Sequence, residues 1–296
     1  IYPNGEIHAA LAAEKFGVPY TLSTMSITSI EDLADNVSSP FWFQLYVMKD
    51  HEFSKKLIQR AKMAECAALV VTVDLQLLGQ RHCDIRNGLS SPPKITIKNI
   101  LEMSLKPAWC YGMLKTKRRS FGNIVGHVDG VSDTSKLSAW IGEQFDLKLN
   151  WDDIARIRDW WKGKLIIKGI LDVDDAVLAE KIGADAMIVS NHGGRQLDET
   201  ISSIAALPEI IGVLKPSSQV WLDSGIQSGQ DILKALALGA KGTMIGKAYL
   251  YGLAAAGERG VSKVLEILKK ELDTTMGLCG CKDVTKVSNN IIKVLR

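Results

Sequence analysis

Along the chain, short runs that are apolar at nearly every position alternate with stretches whose apolar residues recur every three or four. The runs lie at 20–22 (YTL), 42–46 (WFQLY), 68–73 (ALVVTV), 165–168 (LIIK), 186–190 (AMIVS), 220–222 (VWL) and 242–245 (GTMI). Short apolar runs bounded by turn residues read as strands, and a strand apolar on both sides is one covered by helices on both faces, as parallel strands are. Helical spacing occupies 53–64, 172–182, 230–238 and 261–275. Three phrases, KFGVP, KIGADA and ALGAKG, repeat one device: glycine takes a left-handed C-cap and the chain then enters the next strand. Repeated βα units predict an α/β fold.

Seven strands are one short of a (β/α)8 (TIM) barrel. The competing arrangement, an open doubly wound sheet, would carry a glycine-rich phosphate fingerprint, and neither GxGxxG nor GxxxxGK[ST] occurs. The expectation is therefore a single barrel domain over 1–296. The chain enters a helix almost at once (IYPNGEIHAALAAEKFG), so the first strand is expected to be absent from the sequence as it stands. A barrel opened at one strand pair exposes two edges, and poor stability in isolation is expected.

The alternation lapses between residues 87 and 140. This insertion holds SSPPK, a short helical spacing at 97–104, and KPAWCYGMLKTKRRSFGN. Long irregular insertions in compact domains are usually lids or binding segments. Trp109, Tyr111, Met113 and Leu114 stand beside Lys115, Lys117, Arg118 and Arg119. Two readings stay open, a surface for a membrane interface and a solvated loop whose apolar residues cover the barrel rim.

Composition narrows the field. The chain has 296 residues, 46% hydrophobic and 23% charged, with a net charge of +3 spread among mixed signs, which gives no electrostatic footprint for nucleic acid. Five cysteines without framework spacing fit a reduced, cytosolic setting, and Cys279-Gly-Cys281 lacks the gap of a redox or zinc pair. No metal site is expected. No apolar run reaches the ~18 residues of a membrane span.

Barrel enzymes gather their chemistry at the C-terminal ends of the strands. Reading only those positions gives Ser23, Gln44, Tyr46, Thr72, Asp74, Lys168, Ser190 to Arg195, Asp223, and Gly246-Lys247. One such residue would be a satisfied polar group of the core; a polar group at the end of nearly every strand points to a site. In SNHGGRQLD, His192 is placed to act as a base, Asp74 to orient it, and Arg195 to fork onto a carboxylate. Lys168, ending a buried strand, is a fixed cation for an anion formed in turnover. DSGIQSG and MIGK resemble barrel phosphate sites, so a phosphate-bearing cofactor is expected.

SNHGGRQLD resembles the signature of the FMN-dependent α-hydroxy-acid oxidising family. GEIHAALAAEKFGVPYTLSTMS, FQLYV, TVD, IKGI, DSGI and KALALGA follow in that family's order over essentially the whole chain. WFQLYVMKD, LIIKGILDVDDA and the long insertion are most similar to the bacterial, membrane-associated L-lactate dehydrogenases within it. The resemblance implies a (β/α)8 barrel holding FMN. Ser23, Gln44, Thr72 and Lys168 would contact the flavin ring with Ser190 beside them; Asp223, Ser224, Gly225, Ile226, Gln227, Gly246 and Lys247 would hold the ribityl chain and phosphate. It further implies His192 as base backed by Asp74, and Arg195, Arg81 and Tyr46 on the substrate, with Met25 shaping the side-chain pocket. The implied reaction is oxidation of L-lactate, a 2-hydroxy acid, to pyruvate, with electrons passing to a quinone of the respiratory chain. Whether His192 takes the hydroxyl proton or the Cα proton stays open. Peripheral contact with the cytoplasmic side of the inner membrane and a homotetramer are implied as well.

Three departures qualify that picture. Gln227 and Lys247 stand where the family's phosphate site carries arginines; losing a charged hydrogen bond costs roughly 1.5–3 kcal/mol, and lysine keeps charge without the fork, so weaker FMN binding is expected. TVDLQLLG replaces TVDxPxxG ahead of Arg81. The family's N-terminal segment, with a substrate-binding tyrosine, has no counterpart here. An oxygen-using 2-hydroxy-acid oxidase and a truncated, non-catalytic flavin-binding remnant are the alternatives.

Overall fold

The computed structural model describes residues 1–77, 79–87, 96–127 and 144–293. The parts of the predicted insertion at 88–95 and 128–140 lie outside the described residues. Helix α1 (Gly5–Phe16) leads into β1 (Thr21–Ser23), α2 (Ile30–Ala34), β2 (Trp42–Tyr46), α3 (His51–Met63) and β3 (Ala68–Thr72). Then come α4 (His82–Arg86), α5 (Ile97–Ser104), α6 (Pro107–Lys115) and α7 (Trp151–Trp160). The alternation resumes with β4 (Lys164–Ile170), α8 (Val173–Lys181), β5 (Ala186–Val189), α9 (Ser203–Val213), β6 (Gln219–Leu222), α10 (Gly229–Ala237), β7 (Gly242–Thr243) and α11 (Lys247–Leu278). All seven strands are parallel and lie in sequence order.

Local chemistry explains the rhythm. Several helices start on side chains that take orphan N–H groups: Asp50 accepts from Phe53, Asn150 from Asp152 and Asp153, Asp172 from Asp174 and Asp175, and Ser228 forms a capping box with Asp231. The three repeated phrases end as expected, with Gly17, Gly183 and Gly239 at positive φ. Two boundaries differ from expectation. Strand β7 keeps only Gly242 and Thr243, because the chain swings into α11 after Met244 N–H bonds the Leu222 carbonyl. The helix predicted at 261–275 is the second half of α11, whose first half is set off by a kink at Ala256 and Gly257 (φ 59°).

The sheet has two apolar faces. Outward residues such as Leu69, Val71, Ile167 and Val189 pack with Leu57, Ile58, Ala176 and Leu207 of the helices. Inward residues Ala68, Val70, Ile166, Ala186 and Ile188 pack with Trp42, Trp221 and Met244. Trp42 and Trp221 sit on β2 and β6, which are not neighbours, yet their rings meet edge to face at 5.3 Å. Only a sheet curled into a barrel brings them together. Among the described residues no strand pairs with the outer edges of β1 and β7. The helical layer nonetheless continues across that opening, where Ala9 and Ala12 of α1 are buried with Leu253 and Val261 of α11.

The two halves of α11 fold against each other at Gly252 and Gly260, where a Cβ on Gly260 would collide with the Gly252 carbonyl. Overpacking of this kind costs roughly 1–3 kcal/mol, so Gly260→Ala is expected to lower the melting temperature by roughly 2–10 °C. Gly277→Ala, in the same helix with nothing within 4 Å of the added methyl, should not. Equal melting temperatures for both variants would show that the contact does not hold the helix.

Candidate active site

Successive side chains on a strand point to opposite faces, and the inward rows change character on reaching the C-terminal ends of the strands. Trp42 is followed by Gln44 and Tyr46; Ala68 and Val70 by Thr72 and Asp74; Ile166 by Lys168; Ala186 and Ile188 by Ser190 and His192; Trp221 by Asp223. The apolar part fills the barrel, and the polar part lines a cup above it.

One side of the cup is a buried hydrogen-bond chain. Ser23 donates to Gln44 Oε1 (2.8 Å), and Gln44 Nε2 donates to Thr72 Oγ1 (2.8 Å). Opposite stands an ionic group: Lys168 Nζ lies 2.9 Å from Asp223 Oδ2 and 3.0 Å from Ser190 Oγ, and Ser190 donates to Asp223 at 2.6 Å. Burial pushes the Asp223 carboxyl up, but the Lys168 ammonium and the Ser190 hydroxyl outweigh it and hold the group below its ordinary range. Lys168 stays in register opposite Ile188, and the ladder between β4 and β5 breaks just after it, at Gly169. Gly169 has φ 105°, and a Cβ there would lie 2.7 Å from the Asp74 side chain; glycine is what lets Asp74 approach.

Asp74 Oδ1 lies 2.8 Å from His192 Nδ1, with both side chains mostly buried. On the other side of the imidazole, Nε2 is 3.5 Å from the Tyr46 hydroxyl, and the two rings stack at 22°. His192 sits at φ 58°, an uncommon left-handed backbone for a side chain of this size. Two hydroxyls hold it: Ser190 accepts from the His192 N–H (3.0 Å) and Ser224 from the Gly193 N–H (2.9 Å). Burial, reinforced by the carboxylate of Asp74, raises the Tyr46 phenol well above its ordinary range, so it stays a donor at neutral pH.

Arg81 and Arg195 come from the loops after β3 and β5. Those loops clasp each other at Gly79, which has no room for a Cβ against the backbone of Arg195 and Gln196. Gln196 donates to the Leu77 carbonyl, and Arg81 Nη2 to Gln196 Oε1 at 3.4 Å. Arg195 Nη2 bonds Asp84 Oδ2 of α4 at 3.2 Å. Burial and the neighbouring charge of Arg195 lower the pKa of Arg81, and Arg81 Nε is buried without a hydrogen-bond partner among the described residues.

At the far end of the cup, Gly246 precedes the first residue of α11, Lys247, so helix N–H groups are available to an anion. Lys247 and Gln227 line one cleft of about 250 Å³ whose other walls are Ala248, Tyr251, Val264, Ile267 and Leu268. Two expectations change here. The Ile226 side chain belongs to the hydrophobic core, leaving only its backbone for a ligand. The Gln227 N–H is already donated to Asp231 within the cap of α10.

This donor set fits FMN. A flat polar wall (Ser23, Gln44, Thr72), a nearly buried cation (Lys168), and a helix start with a lysine (Gly246, Lys247) follow one another around one rim, and Gly225 and Gly246 leave open space where a Cβ would stand. The structure thus brings together the strand-end residues nominated from sequence. It adds Asp84 and Gly169. Asp84 gave no signal, being one acid in an irregular loop, whereas Gly169 was findable as a glycine inside a strand.

Comparison with known proteins agrees with the geometry. Residues 1–294 match the FMN-dependent dehydrogenase family. An L-lactate dehydrogenase of Haemophilus influenzae is 44% identical over 284 residues, covering 96% of this chain and 74% of that protein. One from Vibrio cholerae is 42% identical over 287 residues, covering 97% and 76%. Among solved structures, the monotopic membrane protein (S)-mandelate dehydrogenase superposes with a TM-score of 0.92 at 38% identity, covering 99% of this chain and 77% of that one. A mandelate oxidase superposes with a TM-score of 0.77 at 34% identity, covering 97% and 73%. These barrel flavoenzymes account for the curled seven-stranded sheet and for the cup at its strand ends, and the chain belongs to the FMN-dependent dehydrogenase family.

Proposed function

We propose that this chain oxidises a short 2-hydroxy acid, L-lactate, to pyruvate, with His192 as the base. The observation that carries the reading is the imidazole fixed between Asp74 and Tyr46 at the rim of a cup that also holds Lys168 and two arginine loops. An ionised carboxylate only accepts hydrogen bonds, so Asp74 selects the tautomer with hydrogen on Nδ1 and leaves the Nε2 lone pair facing the cup. Nε2 takes one proton from the substrate, and Asp74 stabilises the imidazolium that results. Arg195 offers a fork to the substrate carboxylate, Arg81 adds charge beside it, and Tyr46 donates to the substrate oxygen. When bound, FMN would supply the acceptor for the two electrons and for the second hydrogen of the substrate. Ser23, Gln44, Thr72 and Lys168 would hold its ring, and the ammonium of Lys168 would balance negative charge there. Ser190, Asp223 and Ser224 position these groups, while Gly225, Gly246 and Lys247 would hold the phosphate end.

Lactate is favoured over a bulkier acid by Met25, a half-buried residue at the tip of β1 whose N–H bonds Ser23 Oγ, and by relatives named L-lactate dehydrogenase at 42–44% identity against 38% for the mandelate enzyme.

The electron acceptor in this reading is a membrane quinone. Helix α5 and its C-cap residue Leu105 present Ile97, Ile100, Leu101 and Leu105 to solvent, 53–79% exposed, and α6 adds Tyr111 and Leu114. Lys115 lies over the Tyr111 ring at 4.5 Å. The basic part of the surface is smaller than the sequence suggested: Arg118 is forked onto Asp32, and Arg119 bonds the Leu114 and Thr116 carbonyls. Among the described residues no helix is long and apolar enough to cross a membrane. In this reading contact through α5 and α6 is peripheral, on the cytoplasmic side of the inner membrane.

Three outcomes test this. With saturating FMN, His192→Asn should lose roughly 10²–10⁴-fold in kcat while the bound flavin keeps its absorbance, and Arg195→Lys should raise KM by roughly ten-fold or more; full turnover by the histidine variant sinks the mechanism. Met25→Gly should raise kcat/KM for mandelate relative to lactate by roughly ten-fold or more, since each methylene of pocket fit is worth about 1–3 kcal/mol. The protein should pellet with anionic vesicles containing quinone and reduce the quinone faster than oxygen, and Leu101→Glu with Leu105→Glu should abolish pelleting without changing kcat on a soluble dye acceptor. Oxygen reacting faster than quinone would point to an oxidase instead.

A further inference from the structure

Behind the tip of β1 lies a cluster of fully buried polar residues, Thr24, Thr28 and Asn123, with Ser26 nearly so. Asn123 comes from the segment returning from α6, about a hundred positions along the chain from β1. Its carboxamide uses both edges. Oδ1 accepts from the Ile30 N–H (2.9 Å), an orphan donor in the first turn of α2, while Nδ2 donates to the Ser23 carbonyl (3.3 Å) and to Ser26 Oγ (3.3 Å). Arg60 of α3 grips the same residue, giving Nη1 to the Asn123 carbonyl (3.1 Å) while its fork holds Glu31 at 2.7 Å through two nitrogens. The hydrogen bonds of that fork, against the opposing effect of burial, bring the Glu31 carboxyl down to about 2. Gly122 completes the fit: its N–H bonds the Ser26 carbonyl, and a Cβ would come within 2.7 Å of the Ile27 oxygen and 2.8 Å of the Ser29 nitrogen.

Residues 23–26 form the turn that presents Ser23 to Gln44 and sets the backbone of Met25. We infer that Asn123 is a positioning residue for the cup: through its donor edge it fixes that turn, and so fixes where Ser23 and Met25 stand, without itself touching substrate or flavin. The inference builds on the proposed function, because it assigns the floor of the same site. It also explains the amide. A carboxylate of the same shape offers acceptors to both the Ile30 N–H and the Ser23 carbonyl, and only the first is satisfied.

The test is hydrogen exchange on the full chain with FMN, comparing wild type, Asn123→Asp and Gly260→Ala, together with FMN affinity from flavin fluorescence. Asn123→Asp should speed exchange of the amides at 23–30 by on the order of ten-fold and weaken FMN binding by on the order of ten-fold, with α10 and α11 unchanged. Gly260→Ala should lower the melting temperature without either effect. Exchange unchanged at 23–30, or raised evenly along the chain, overturns the inference, as does fast local exchange with FMN affinity intact. If Asn123→Asp does not fold, Ser26→Ala removes one partner of the same amide and should give the same local pattern at smaller amplitude; its absence overturns the inference equally. A wild type that exchanges as expected but fails to oxidise lactate would defeat the proposed reaction and leave this result standing.

Discussion

Every strand of a barrel has one inward position in two, and those positions must serve both the core and the site. Here the division is made by height. Trp42, Val70, Ile166, Ile188 and Trp221 fill the lower interior, and two residues further along the same rows stand Gln44, Thr72, Lys168, Ser190 and Asp223. A slip of one residue in any strand would turn its polar tip outward and its outward apolar set inward. The register that buries the core is thus the register that builds the cup, and neither can be changed alone. The meeting of Trp42 with Trp221 across the barrel is the clearest mark of that constraint, because it needs both the curl of the sheet and the correct parity of two distant strands.

Chemistry then asks for geometry that regular strands cannot supply, and the departures from regularity fall together. The break in register at Gly169 makes room for Asp74. Left-handed backbone at His192 and at Ser224 is retained where Ser190 and Ser224 hydroxyls accept from the turn, in hydrogen bonds that a relaxed turn would lose. Backbone in sparsely populated regions costs of order 1–3 kcal/mol per residue and persists where the surroundings over-determine it. Two of the three non-glycine cases in the β5 and β6 loops, His192 and Ser224, hold the turn that carries the imidazole, while the third, Glu199, lies further along the β5 loop; the first two tie the strain to the orientation of the ring.

Much of this was legible in the chain. Parallel strands follow from runs apolar on both faces, and the polar tips follow from counting by two along them, so Gln44, Thr72, Lys168 and Asp223 could be nominated before any fold was seen. What stayed hidden depends on contacts between distant segments. Asp84 faces Arg195 from 111 positions away and Asn123 reaches Ser23 from 100; no local spacing encodes either. The burial of the Ile226 side chain stayed hidden for another reason. Its neighbours Ser224 and Gly225 stand at the ligand rim, but the positive φ of both turns the following side chain into the core. The start of α11 was missed because GLAAAGERG interrupts helical spacing at the kink.

The charges of the cup also form a system. Lys168 is matched by Asp223 and Arg195 by Asp84, while Asp74 orients the imidazole of His192. Cations placed this close would otherwise repel one another; burial first, and then the charge of Arg195, lower the pKa of Arg81. An incoming anion therefore meets guanidinium and ammonium groups already oriented by carboxylates, and binding exchanges or shares a partner instead of ordering a free side chain. Such preorganisation lowers the entropic cost of capture. It also makes the site most demanding at Arg81: among the described residues its Nε is buried without a hydrogen-bond partner, and a substrate carboxylate between Arg81 and Arg195 would relieve that cost and their mutual repulsion in one contact.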